Sequence, residues 1–124
     1  MSENILEKII KNKIKKIDIL KKSISLDSLK DRINENKSFM NFKEKIENNI
    51  KNDKISIIAE IKKASPSSGL IIEDYNPVNI AEIYKGNNAT CLSVLTEEDF
   101  FLGNLIHISK IKQQINLPIL CKDF

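Results

Sequence analysis

The chain is 124 residues long, with 41% hydrophobic and 30% charged residues, which is the size and make-up of one globular domain and excludes a disordered chain. No run approaches the ~18 apolar residues of a membrane span, and residues 1–20 lack the continuous apolar core of a signal peptide. A cytoplasmic protein with no membrane partner is therefore expected. The formal net charge of +3 is unevenly spread: residues 1–54 carry 14 Lys/Arg against 9 Asp/Glu, and residues 55–124 carry 6 against 8. The excess is N-terminal, yet it interleaves acids and has no aromatic residue before Phe39, so it reads as a solvated helix face and no nucleic-acid partner is expected.

Ile5, Leu6, Ile9, Ile10, Ile14, Ile17 and Leu20 recur at three- and four-residue steps, which predicts an amphipathic helix over residues 3–22. Ser25 offers an N-cap for a short helix over 26–35, and Ser38 for a third carrying Phe39, Phe42, Ile46 and Ile50. Asn48, Asn49, Asn52 and Asp53 then loosen the chain.

The next stretch organises everything after it. Ile55, Ile57, Ile58 and Ile61 form a short β-branched run closed by Ser65-Pro66-Ser67-Ser68-Gly69, the pattern of a buried parallel strand entering a loop. A period of two puts Ile58, Glu60 and Lys62 on one face. A carboxylate and an ammonium there must pair or act, because unpaired charge is expensive to bury. The same spacing also fits a plain ion pair at a strand end.

Asn76-Pro77 opens a helix that stops near Gly86-Asn87-Asn88, and residues 90–95 form a second strand running into the acidic loop Thr96-Glu97-Glu98-Asp99 and then Phe100-Phe101-Leu102-Gly103. Asn104 opens another helical segment through residue 115, and Pro118 begins a third strand ending in Lys122-Asp123-Phe124. His107, alone on its helix, reads as surface or packing. Cys91 and Cys121 fall inside strands without metal-ligand spacing and read as small buried hydrophobes.

Strand and helix in alternation demand βαβ units and a parallel sheet. Ligands bind at the carboxyl ends of such strands, so Glu60, Lys62, Phe101 and Lys122 would share one rim. Two ammonium groups beside a carboxylate suit an anionic substrate and acid-base chemistry at a carbonyl; they equally suit a simple binding site.

Three ordered motifs carry a resemblance to a family. Ile58-Ala59-Glu60-Ile61-Lys62-Lys63-Ala64-Ser65-Pro66-Ser67-Ser68-Gly69, Ser93-Val94-Leu95-Thr96-Glu97-Glu98-Asp99-Phe100-Phe101-Leu102-Gly103 and Pro118-Ile119-Leu120-Cys121-Lys122-Asp123-Phe124 resemble the successive strand ends of indole-3-glycerol-phosphate synthase. The resemblance spans essentially the whole chain and implies the α/β class: a helical extension over residues 1–54, then residues 55–124 as the first three parallel strands of a (β/α)8 TIM barrel.

It also implies a lyase of tryptophan biosynthesis, closing 1-(2-carboxyphenylamino)-1-deoxyribulose 5-phosphate to an indole with loss of carbon dioxide and water. By the same resemblance Lys122 is general acid on the substrate carbonyl, Lys62 holds the anthranilate carboxylate and can exchange roles with it, and Glu60 orients both. Ser65 and Pro66 lie beside the substrate, and Phe101 and Phe124 wall its aromatic ring. No metal or organic cofactor is implied.

A complete barrel has eight strands and about 250 residues. The later glutamate that serves the family as base, and its main phosphate-binding loops, have no counterpart here. The expectation is an N-terminal portion, inactive alone. The alternatives are a half-barrel completed by a partner chain, and a non-catalytic module that binds through its basic N-terminal helix.

Overall fold

The computed structural model describes residues 4–36 and 38–124, which divide after Phe39 into two compact units, the second being Met40–Phe124. The first unit holds α1 (Ile5–Ser23) and α2 (Leu26–Glu35). The expected start of α1 at residue 3 lies outside the described residues. Asn4 closes a capping box on α1: its side chain accepts from the Glu7 amide at 2.9 Å while Glu7 Oε2 accepts from the Asn4 amide at 3.3 Å. Ser25 caps α2 through the Ser28 amide at 3.1 Å, as its position suggested. Neither helix buries a residue, and the stripe from Ile5 to Leu20 is largely exposed.

The second unit begins with α3 (Phe42–Lys51). Here the expectation of a Ser38 cap is corrected. Asn41 caps the helix by accepting from the Glu44 amide at 3.0 Å, whereas the Ser38 amide donates to Asn36 and Phe39 lies outside the helix, 71% exposed. Asn41 is the cap because the helical run starts directly after it and brings the Glu44 amide within reach. α3 is tied to the sheet's amino end by Asn49 Nδ2, which donates to Thr90 Oγ1 at 3.1 Å; that oxygen also accepts from the Ile57 amide at 3.0 Å.

The rest alternates: β1 (Ile58–Ile61), a two-strand hairpin β2 (Ala64–Ser65) and β3 (Gly69–Leu70), α4 (Pro77–Gly86), β4 (Cys91–Leu95), α5 (Ile106–Lys112) and β5 (Ile119–Lys122). β1, β4 and β5 form a parallel sheet in that order, with Glu60 level with Ser93 and Ser93 with Leu120. Strand one is shorter than expected. Ile55 is 88% exposed and precedes it: among the described residues neither outer edge of the sheet has a partner to extend it.

The hairpin was not anticipated, since Ser65–Gly69 reads as loop. It pairs Ala64 with Leu70 and Ser65 with Gly69, and Gly69 takes the positive φ of 63° that a side chain resists. Asn76 caps α4 at Val78 and Asn79, with Pro77 in the first turn as expected. α5 is shorter than residues 104–115. Asn104 takes the Ile106 amide on its side chain at 2.9 Å, so the helix starts after it, and Ile115 closes only a final turn onto the Ile111 carbonyl.

One face of the sheet packs on α4 and α5 through Ile61, Leu92, Val94, Ala81 and Ile111, with Ile115 and Leu117 completing a buried core. Alternation then sends Ile58, Glu60 and Lys62, Ser93 and Leu95, and Leu120 and Lys122 to the opposite face. Cys91 is buried, Cys121 partly so, and both are free thiols.

Candidate functional site

Glu60 lies in β1, Lys62 just beyond its end, and Lys122 closes β5. One carboxylate holds two cations. Lys62 Nζ is 3.2 Å from Glu60 Oε1, and Lys122 Nζ donates to Glu60 Oε2 at 2.7 Å. The side chains are 31%, 32% and 45% exposed respectively, so the cluster is partly shielded yet open to a ligand. Burial alone would raise the Glu60 carboxyl, but hydrogen bonds from Lys122 and Lys62, together with their charges, outweigh it and hold its pKa below the ordinary value. The same hydrogen bond to Glu60 is the main reason the Lys122 ammonium is pushed up, against a smaller opposing effect of burial. The three side chains carry two positive charges against one negative, offset in part by the Asp123 carboxylate that also acts on Lys122, and two ammonium groups on one rim suit an anion.

Two neighbours fix this geometry from behind. Tyr84 Oη donates to the Glu60 carbonyl at 3.0 Å, tying α4 to β1 beneath the carboxylate. The Thr96 amide and hydroxyl both donate to the Lys122 carbonyl, at 3.0 and 3.1 Å, tying the end of β4 to the end of β5.

The other expected residues follow the carboxyl ends of β1, β4 and β5. Ser65 is buried in β2, its hydroxyl accepting from the Ser68 amide at 3.2 Å, with Ser67 Oγ at 3.4 Å; Pro66 is exposed in the turn that follows. Phe101 sits half-buried after β4, and Phe124, two residues beyond Lys122, is 77% exposed. The structure thus joins Glu60, Lys62 and Lys122 by direct contact; Ser65 and Pro66 follow β1 and Phe124 follows β5, the strands of that cluster, whereas Phe101 follows the strand between them, β4.

Glu97 was read only as part of an acidic loop. It is 4% exposed, and its carboxylate accepts backbone amides from Asp99, Phe100 and Phe101 at 3.1, 2.6 and 3.1 Å. The sequence carries no local signal that singles it out, since Glu97, Glu98 and Asp99 all precede the same aromatic pair and glycine. On the helix side, Tyr75, Pro77, His107, Lys110 and Gln114 line a shallow groove of about 430 Å³, which none of the three ion-paired residues lines. Burial pushes the Tyr75 hydroxyl up to about 12 and, with Lys110 and Lys63 nearby, pushes His107 down; their rings are 5.5 Å apart, so His107 is a packing residue. Among the described residues no group of three or more His, Cys, Asp or Glu could hold a metal ion, and no helix is long and apolar enough to cross a membrane.

Fold and site together define a parallel α/β protein with a cationic cluster at the carboxyl ends of its strands, the arrangement of a (β/α)8 barrel's opening strands. A family model described as indole-3-glycerol phosphate synthase matches residues 6–124. Curated relatives of that name from Trichodesmium erythraeum, Clostridium acetobutylicum and Prochlorococcus marinus are 41%, 46% and 44% identical over 98%, 97% and 99% of this chain. The chain belongs to the indole-3-glycerol phosphate synthase family. It spans 40%, 45% and 41% of the length of those three relatives.

Proposed function

We propose that this chain supplies the strand-end lysines and their carboxylate to an indole-3-glycerol phosphate synthase, a cytoplasmic carbon-carbon lyase of tryptophan biosynthesis acting on 1-(2-carboxyphenylamino)-1-deoxyribulose 5-phosphate without a metal or organic cofactor. Supporting this above all is the single contact set in which Glu60 holds Lys62 and Lys122 at 3.2 and 2.7 Å. Lys122, kept in its ammonium form by Glu60, hydrogen-bonds the substrate ketone oxygen and gives it a proton as the anthranilate ring carbon attacks the carbonyl carbon. Lys62 binds the anthranilate carboxylate until it departs as carbon dioxide, and loss of the hydroxyl as water then completes the indole. Ser65 and Pro66 border the substrate from the hairpin, and Phe101 and Phe124 exclude water from the aromatic ring.

In this reading residues 1–54 serve as a helical extension and residues 55–124 as the opening of the barrel. The base that takes the proton lost from the substrate's C1 methylene as water departs, and the loops that hold the phosphate, come from outside these 124 residues, either from further sequence of the same protein or from a second chain. The outer edges of β1 and β5, unpaired among the described residues, suit either source. The test is production of indole-3-glycerol phosphate, followed by its indole absorbance. The 124-residue chain alone is expected to give none, and the assembled barrel to give product at a rate that Glu60→Gln and Lys122→Ala each lower. Undiminished turnover in both variants would overturn the reading.

A further inference from the structure

The loop after β4 is held more tightly than its exposed sequence suggests. Glu97 turns its carboxylate inward, where it is met by the Asp99, Phe100 and Phe101 amides. Its own carbonyl accepts from the Gly103 amide at 2.7 Å, so the chain leaves and returns to the same residue. Leu102 takes a positive φ of 53° to make that return, a conformation costly for a leucine unless its surroundings impose it. Gly103 is seated so closely that a Cβ would lie 2.3 Å from the Leu95 carbonyl oxygen. The residue before Glu97, Thr96, grips the Lys122 carbonyl. A buried carboxylate thus orders a strained loop bound at its root to the strand end that carries Lys122.

We infer that Glu97 is a positioning residue: through the Phe100 and Phe101 amides it fixes the Phe101 ring at the rim where an aromatic substrate would lie. The inference rests on the reading of the site given above, in which Phe101 walls the anthranilate ring. Glu97 touches neither substrate nor proton. Its effect passes through a backbone segment, and a carboxylate suits the task because both of its oxygens accept, whereas an amide would turn an NH₂ group toward at least one backbone N–H. Misplacing a bound ring by about 1 Å is enough to lower turnover on the order of a hundredfold.

A mutant cycle in the turnover-competent assembly tests this. Glu97→Gln and Phe101→Ala are each expected to lower kcat/KM by roughly 10- to 100-fold, and the double variant to be no worse than Phe101→Ala alone, because both act through one ring. The pH profile of kcat should keep its shape, since Glu60, Lys62 and Lys122 are untouched. If the two losses multiply, Glu97 acts on general stability and the inference fails while the activity reading stands. If the assembly with native residues makes no product, the activity reading fails instead, and the inference with it. Should Glu97→Gln not fold, Glu97→Asp, which keeps the charge but falls short by one methylene, carries the same cycle. An amide-proton spectrum adds a readout independent of turnover: the Phe100 signal, from the 2.6 Å contact, should move upfield in either Glu97 variant, and an unmoved signal would show that the carboxylate does not hold the loop.

Discussion

Lys122 reaches Glu60 over an intervening strand. The two residues belong to β5 and β1, which flank β4 in the sheet, yet their charged atoms are 2.7 Å apart. Adjacent strands lie about 4.8 Å apart, so the pair spans roughly 10 Å of sheet. It closes only because both side chains rise from the same face near the strands' carboxyl ends. Register supplies the remaining detail: Glu60 is level with Leu120 through Ser93, so Lys122 lies two residues farther along. The Ser93 hydroxyl beneath this bridge is buried and makes no hydrogen bond.

Stability should follow the protonation of this bridge at both ends of the pH range. The Glu60 pKa is lowered by folding, so its contribution is present above the ordinary glutamate pKa and is lost as pH falls through the lowered value. The Lys122 pKa is raised, so its contribution is full below the ordinary lysine pKa and is lost as pH rises through the raised one. Because the side chains are a third to nearly a half exposed, the stabilisation is below ~1 kcal/mol. Urea unfolding of native and Glu60→Gln proteins should differ by that amount near neutrality and converge in acid. A difference that grows on acidification would contradict the assignment.

The chemistry predicts unequal losses among the three charged residues. Lys122→Ala removes a proposed proton donor and should lower kcat by roughly 10²- to 10⁴-fold. Lys62→Ala removes a carboxylate anchor, so its effect should fall largely on KM. Glu60→Gln leaves both lysines in place without their shared partner and should depress kcat. Steady-state kinetics in the assembled barrel separate these patterns, and a Lys122→Ala enzyme with normal kcat would remove Lys122 from the proton-donating role.

How much of this was readable beforehand depends on range. The order of strands and helices, the Asn76-Pro77 helix start and the shared face of Glu60 and Lys62 are local matters of period and capping, and the sequence carried them. The Asn41 cap was missed because Ser38 and Asn41 are equally good caps in isolation, and only the helix that forms decides between them. The hairpin at Ala64–Leu70 was missed because two-residue strands have no period to detect. Glu97 was missed for a different reason: Glu97, Glu98 and Asp99 look alike in the chain, and which one turns inward depends on where the Phe100 and Phe101 amides come to lie.

Thr90→Val is expected to destabilise the second unit by about 1–3 kcal/mol. Valine keeps the shape of threonine but not its oxygen, which accepts from the Ile57 amide and from Asn49 at once. Losing it leaves two donors at the junction of α3, the start of β1 and β4. The denaturant midpoint should drop with little change in slope, and an unchanged midpoint would mean that water replaces the hydroxyl at no loss.

Gly103→Ala tests the seating of the β4–α5 loop without touching a charged group. An added Cβ would meet the Leu95 carbonyl oxygen at 2.3 Å and its carbon at 2.7 Å. Both are backbone atoms of a fully buried strand residue and cannot swing aside as a side-chain end would. Either the loop lifts or the strand shifts, and overpacking of this kind costs about 1–3 kcal/mol. Since the Gly103 amide also donates to the Glu97 carbonyl at 2.7 Å, lifting the loop should weaken the hold on Phe101 as well. The expected result is therefore a lower melting temperature together with faster amide exchange at Asp99, Phe100 and Phe101. Destabilisation with unchanged exchange at those three amides would place the relaxation in β4 rather than in the loop.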